Sequence, residues 1–151
     1  LYRRAHDSHL ALYFQVSLAV RAVDPAAFVP AAAAIFANQE QFFDDKVMDL
    51  TRSQIYTALI DVVVPAIAAA GLNVSAEAIA AQLALTGSGN SGSAVTLPMK
   101  WAVKYHRVRS VHVTPTVFIN GIEAPDVGSS WNPEQWQEKL TSLLPEPAPS
   151  A

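Results

Sequence analysis

Apolar positions along this chain recur at helical spacing until about residue 112, where the period shortens to that of a strand before a last helical stripe follows. From Ser8 to Val23, Leu10, Tyr13, Phe14, Ser17, Val20 and Arg21 mark successive turns. The apolar residues there are spread widely rather than confined to a stripe, which predicts a helix buried on more than one side. Asp24-Pro25 restarts the backbone, because Asp caps a helix and Pro suits its first position. The second helix is predicted to run to about Phe43, with Pro30 in a kinked or 3₁₀ first turn and Phe42-Phe43-Asp44-Asp45 ending it.

Thr51-Arg52-Ser53-Gln54 has the form of a capping box, so a third helix is expected from Arg52. Pro65 lacks an amide donor and should kink or split it, and Gly71 should stop it. Ser75 caps a short fourth helix through about Leu85. Thr86 to Ser93 is rich in Gly and Ser. It follows no strand and lacks Walker lysine spacing, so a surface loop is expected rather than a phosphate cradle. A fifth helix is predicted from about Thr96 to Arg109, with Trp101, Tyr105 and Val108 on one face and Lys100, Lys104 and Arg107 on another.

Thr116 to Ile119 is β-branched and aromatic, the composition of a strand. Asn120-Gly121 signals a tight hairpin, because both residues tolerate positive φ. Ile122 to Val127 is the return strand, which Pro125 limits to an edge or ends early. Asn132-Pro133-Glu134-Gln135 opens a closing helix whose buried stripe is expected to be Trp136, Leu140, Leu143 and Leu144. Trp101 and Trp131 are likewise expected in the core. Pro145 to Pro149 reads as the start of a disordered tail over 145–151.

Composition narrows the function classes. The 151 residues are 51% apolar and 15% charged, which supports a packed domain and argues against disorder for most of the chain. A net charge of −3, with no dense basic cluster, gives no reason to expect nucleic acid. The apolar run Ala58 to Leu72 is interrupted by Asp61 and Pro65 and is too short for a bilayer of about 30 Å. Residues 1–7 lack the apolar core of a signal peptide. A soluble protein without membrane contact is expected, with the cytoplasm favoured. The absence of cysteine excludes thiol catalysis, disulfides and thiolate metal sites among these residues.

Other candidate chemistry is thin. His6-Asp7-Ser8-His9 offers two imidazoles without a third ligand placed by sequence, so a solvated helix start is expected and no metal or other cofactor. His106 and His112 read as surface positions, and Lys100, Lys104 and Arg107 as a solvated face. Ser129 and Ser130 lack the context of a nucleophile elbow, so no hydrolase is supported.

A series of helices, a long helix, then Val113-Thr114-Pro115-Thr116, an Asn-Gly hairpin and a closing helix resembles the DsbA-like thioredoxin-fold family, which carries an all-helical insertion. Ser129-Ser130-Trp131 and the helix from Pro133 add to the likeness. The resemblance implies an α/β thioredoxin-like, mostly helical single domain over 1–144. Residues 8–85 would be the insertion and 96–144 the remaining thioredoxin core. It also implies a cis peptide bond before Pro115, with the preceding backbone facing outward to pair with an extended peptide or glutathione.

The family's strand–helix–strand unit with its Cys-x-x-Cys motif has no counterpart here. The expectation is a redox-inactive chain with no catalytic residue and a binding loop at Val113, Thr114, Pro115 and Thr116. The resemblance leaves open a kappa-type glutathione transferase or chromene-carboxylate isomerase relative, or a non-catalytic peptide-binding module. An unpaired edge of the two-stranded sheet is expected to be open to self-association.

Overall fold

A computed structural model of the chain describes residues 6–89 and 91–144, with side chains from residue 11 onward. The expected tail at 145–151 and the reading of residues 1–5 lie outside the described residues. The chain is mostly helical, with one small antiparallel sheet among the described residues. It divides into two compact units, residues 1–104 and 105–151.

The first unit is a helical assembly around one apolar core. Helix α1 (His6–Val23) is buried continuously from Gln15 to Val20, as its broad apolar pattern predicts. It packs on α2 (Phe28–Ala37), α4 (Arg52–Ala69) and α5 (Ala76–Leu83), and α2 packs on α4. Val16, Leu59, Val63, Ile67 and Ile79 are fully enclosed. Removing such a side chain leaves a cavity as well as a lost transfer term.

The second helix is shorter than its composition suggests. Asp24 caps a 3₁₀ turn, Pro25–Ala27, by accepting from the Ala26 amide at 2.9 Å. The α-helix then ends at Ala37 rather than near Phe43. Asn38 takes φ −113°, ψ 14°, and its side-chain amide donates to the Ala34 carbonyl at 2.8 Å. The same carbonyl also accepts the Asn38 backbone amide at 3.1 Å, so backbone and side chain together close the last turn. Gln39–Phe42 continues as 3₁₀, and Asp44, expected to close the helix, opens the one-turn α3 (Asp44–Val47).

Helix α4 begins as the capping box predicts: Gln54 N donates to Thr51 Oγ1 at 3.3 Å and Thr51 N to Gln54 Oε1 at 2.8 Å. Pro65 does not split it. Asp61, whose carbonyl loses its partner there, and Pro65 are both exposed on the same side of the helix, so water can satisfy the freed group. Gly71, at φ +78°, ends the helix: its amide donates to Ala68 O at 2.9 Å and that of Leu72 to Ile67 O at 3.2 Å. Ser75 caps α5 through the Ala78 amide at 3.1 Å.

A polar group sits inside this core. Gln15 is buried; its Nε2 donates to Met99 Sδ at 3.2 Å, and its Oε1 accepts from Arg52 Nη2 at 2.8 Å and from the Tyr56 hydroxyl. Arg52 Nε also donates to the Tyr56 oxygen at 2.8 Å. The network satisfies a side chain that would otherwise be costly to bury.

Helix α6 (Thr96–Val108) spans the division between the units. In the second unit follow β1 (Phe118–Ile119), β2 (Ile122–Glu123) and α7 (Pro133–Ser142). The strands pair Phe118 with Glu123 and Ile119 with Ile122, both shorter than composition suggested. Asn120 at φ +51° and Gly121 at φ +85° form the predicted turn. The Ala124 amide donates to Val117 O at 2.8 Å, after which Pro125 cannot extend the ladder. Asn132 and Gln135 form the predicted reciprocal cap of α7.

The expected burial of this region is corrected. Trp101 is 58% exposed, and Leu140, Leu143 and Leu144 are also exposed. Only Ala124 and Val127 are buried in this unit among the described residues. Trp136 is half-buried and meets Trp131 edge-on with ring centroids 5.5 Å apart. The amphipathic patterns are present, but no described sheet is wide enough to cover them.

Candidate functional site

The residues from Arg109 to Gly121 form one local structure in the second unit. Helix α6 ends with Ser110 in the left-handed region at φ +56°, its amide donating to Arg107 O at 3.1 Å and that of Val111 to His106 O at 2.9 Å. The paired bonds turn the chain away from the helix axis, a role that glycine or asparagine fills more often.

That turn brings Arg109 against the hairpin. Its guanidinium carbon lies 3.9 Å from the Phe118 ring centroid and 5.6 Å from that of Tyr105. Nη2 donates to the Gly121 carbonyl at 2.7 Å. A planar cation stacked on a ring and bonded to a turn carbonyl holds strand and turn in register. Nε is buried without a hydrogen-bond partner among the described residues. From the sequence, Arg109 is named only as the end of the fifth helix; its place in the last turn beside a hairpin was the available signal.

Between this clamp and the strand runs the loop of sequence-predicted candidates. Val113, Thr114 and Pro115 are exposed and Thr116 is half-buried. The Thr114–Pro115 peptide bond is cis. Thr116 Oγ1 donates to Val113 O at 2.7 Å, so the side chain after the proline fixes the carbonyl before Thr114. Among the described residues, nothing hydrogen-bonds to the backbone of Thr114. Strand β1 has a neighbour only in β2 within the described sheet. The bend at 113–115 leaves the Thr114 backbone, and the sheet leaves one edge of β1, without a hydrogen-bond partner among the described residues, groups that an added strand can pair with.

The remaining candidates do not join this loop into a reaction centre. His106 and His112 are exposed, and His112 Nδ1 lies 2.6 Å from Ser110 O. Lys100 and Lys104 belong to the first unit, where Lys104 Nζ sits 4.9 Å from the Trp101 ring centroid. The side chains of His6 and His9 lie outside the described residues. Among the described residues no group of three or more His, Asp or Glu could hold a metal ion, and no helix is long and apolar enough to cross a membrane.

Asp126 and Lys139 close the unit, with Nζ 2.9 Å from Oδ2. The hydrogen bond from Lys139 holds the Asp126 carboxyl below its ordinary range, aided by a local backbone amide. No family model, no curated protein and no solved structure matches the chain.

Proposed function

We propose that this chain corresponds to the helical insertion and C-terminal core of a DsbA-like thioredoxin-fold domain, and that its 113–116 loop binds an extended peptide through the backbone. The reading places no redox chemistry on these residues, which include no cysteine. A thiolate is the nucleophile that such exchange requires.

The observation that carries the binding role is the exposed Thr114 backbone, without a hydrogen-bond partner among the described residues, beside a strand held in place by Arg109. The Thr116–Val113 hydrogen bond already holds the loop, so part of the ordering cost is met before a peptide arrives. Each new main-chain bond contributes a net of about 0.5–1.5 kcal/mol. A few such bonds support weak binding, on the order of millimolar. The exposed apolar faces of α6 and α7 support the family reading, since they are the surfaces a wider sheet would cover.

The test is an amide NMR titration with a cysteine-free extended peptide and, separately, with glutathione. Peptide-induced shifts at Val113, Thr114 and Thr116 are expected. Shifts there under glutathione alone would favour a transferase relative, and no shifts under either ligand would sink the binding role. Insulin reduction by dithiothreitol should proceed at the same rate with and without the protein.

A further inference from the structure

A groove of about 270 Å³ lies within the first unit, between the first turns of α4 and the end of α5. It is slightly smaller than most small-molecule sites, roughly 300–1,000 Å³, so a compact ligand fits it best. Residues at helical spacing on α4 give it both polar and apolar lining. Arg52, Ser53 and Thr57 bring polar groups, and Ile60 continues the same face as an apolar one. Leu83 at the end of α5 and Leu85 just beyond it add apolar surface. Ile60 and Leu83 line the groove while almost fully buried, so they form its floor. Ser53 and Ala84 are exposed, so the groove is reachable from solvent.

Arg52 supplies the charge. Its Nε and Nη2 donate to the Tyr56 oxygen at 2.8 and 2.6 Å, and Nη2 also donates to Gln15 Oε1 at 2.8 Å. These neutral acceptors orient the guanidinium without neutralising it. Among the described residues, Nη1 makes no hydrogen bond and no carboxylate pairs with Arg52. Glu77, the acid of α5, is bonded instead by a local backbone amide and by Ser75. The Thr57 hydroxyl is committed to Ser53 O at 3.1 Å, whereas Ser53 Oγ has no partner among the described residues and is left to donate.

We propose that this groove binds a short aliphatic carboxylate, with its anionic end on Arg52 and Ser53 and its chain against Ile60, Leu83 and Leu85. The occupant follows from the lining. A held guanidinium with unused donors favours a carboxylate through charge-assisted bonds, and a single cation suits one negative charge. The apolar floor gives the chain of such a ligand a place to leave water. The site lies in the first unit alone and rests on neither the 113–116 loop nor the family reading.

The test is an amide and methyl NMR titration of the full chain with hexanoate at neutral pH. Saturable shifts at Ser53, Thr57 and the methyls of Ile60 and Leu83 are expected. Hexanamide, the neutral analogue, should bind about tenfold more weakly, a difference of about 1.4 kcal/mol. Acetate, which lacks the chain, should also bind about tenfold more weakly. Arg52→Met should abolish the preference for hexanoate over hexanamide. Because Arg52 also serves the Gln15 network, a second pair of variants leaves it in place. Ala84→Glu, at an exposed position of the lining, should weaken hexanoate by about tenfold, and Ala84→Gln, of the same size, by about threefold at most. Met48→Ser, exposed and outside the lining, should leave binding unchanged.

Absence of saturable binding overturns the proposal. So does equal affinity for hexanamide or for acetate, or equal weakening by Ala84→Glu and Ala84→Gln. N-acetyl-leucine presents the same chemistry as a peptide end. Tighter binding of that compound than of hexanoate would assign the groove to a peptide and overturn the small-molecule reading.

Discussion

Arg109 stacks on Phe118 at 3.9 Å while donating to the carbonyl of Gly121 at 2.7 Å, so one side chain fastens the first strand and the turn of the hairpin to the end of α6. Replacing it with Met keeps the apolar stem but loses the planar cation and the bond. The hairpin should lose about 1–2 kcal/mol of local stability. Arg109→Lys retains charge but not the flat fork, so it should resemble Arg109→Met more than the parent. Amide exchange of Ile119 and Ala124 measures this, and a lysine variant indistinguishable from the parent would refute it.

Gln15 is the polar centre of the first unit. Gln15→Ala leaves Arg52 and Tyr56 short of an acceptor in a partly buried setting. The expected loss is about 1–3 kcal/mol in urea unfolding followed by circular dichroism. Tyr56→Phe removes the hydroxyl that donates to Gln15 and accepts from Arg52, but it leaves the Arg52–Gln15 bond and the ring packing, and should cost less. A larger loss from Tyr56→Phe would mean that the Tyr56 hydroxyl, rather than Gln15, is the centre of the network.

The Asp126–Lys139 pair gives the second unit an acid limit. The folded Asp126 carboxyl lies below its ordinary value of 3.8. Its contribution is therefore fully present above that value and is lost as pH falls through the folded pKa. Asp126→Asn should remove this acid dependence from the chemical shifts of α7 while leaving the neutral-pH spectrum nearly unchanged. Persistence of the same titration in the variant would assign it to another group.

Pro65 tests the account of α4. Because its lost amide bond falls on an exposed side, the helix tolerates it, yet the missing bond still carries a cost. Pro65→Ala should stabilise the first unit by about 1–2 kcal/mol, the helix-interior gain being reduced by a freer unfolded chain. Destabilisation by this variant would show that the ring makes packing contacts outweighing the missing bond.

Local signals in the sequence translated well into structure. Thr51 with Gln54, Asn132 with Gln135, Ser75, Gly71 and Asn120-Gly121 each act through bonds spanning a few residues, so their outcome depends little on the rest of the chain. The break at Asn38 was not legible, because Ala31 to Ala37 and the aromatic run after it are compatible with one longer helix. The Gln15 network joins residues far apart in sequence, and Arg109 gained its role from the turn at Ser110.

Leu140, Leu143 and Leu144 teach a different point. Leu140 lies on α7, but Leu143 caps its end and Leu144 falls beyond it, and burial requires a partner surface that spacing cannot supply. The exposure of 113–115 was legible, whereas the half-burial of Thr116 and the loop's support by Arg109 and by the Thr116–Val113 bond were not.

The peptide-docking claim is tested most directly by intermolecular nuclear Overhauser effects between the chain and a bound, cysteine-free extended peptide. The account predicts backbone-to-backbone contacts from the peptide to Val113 and Thr114, in the pattern of an added strand. A bound peptide whose contacts all lie outside 113–116 would contradict it.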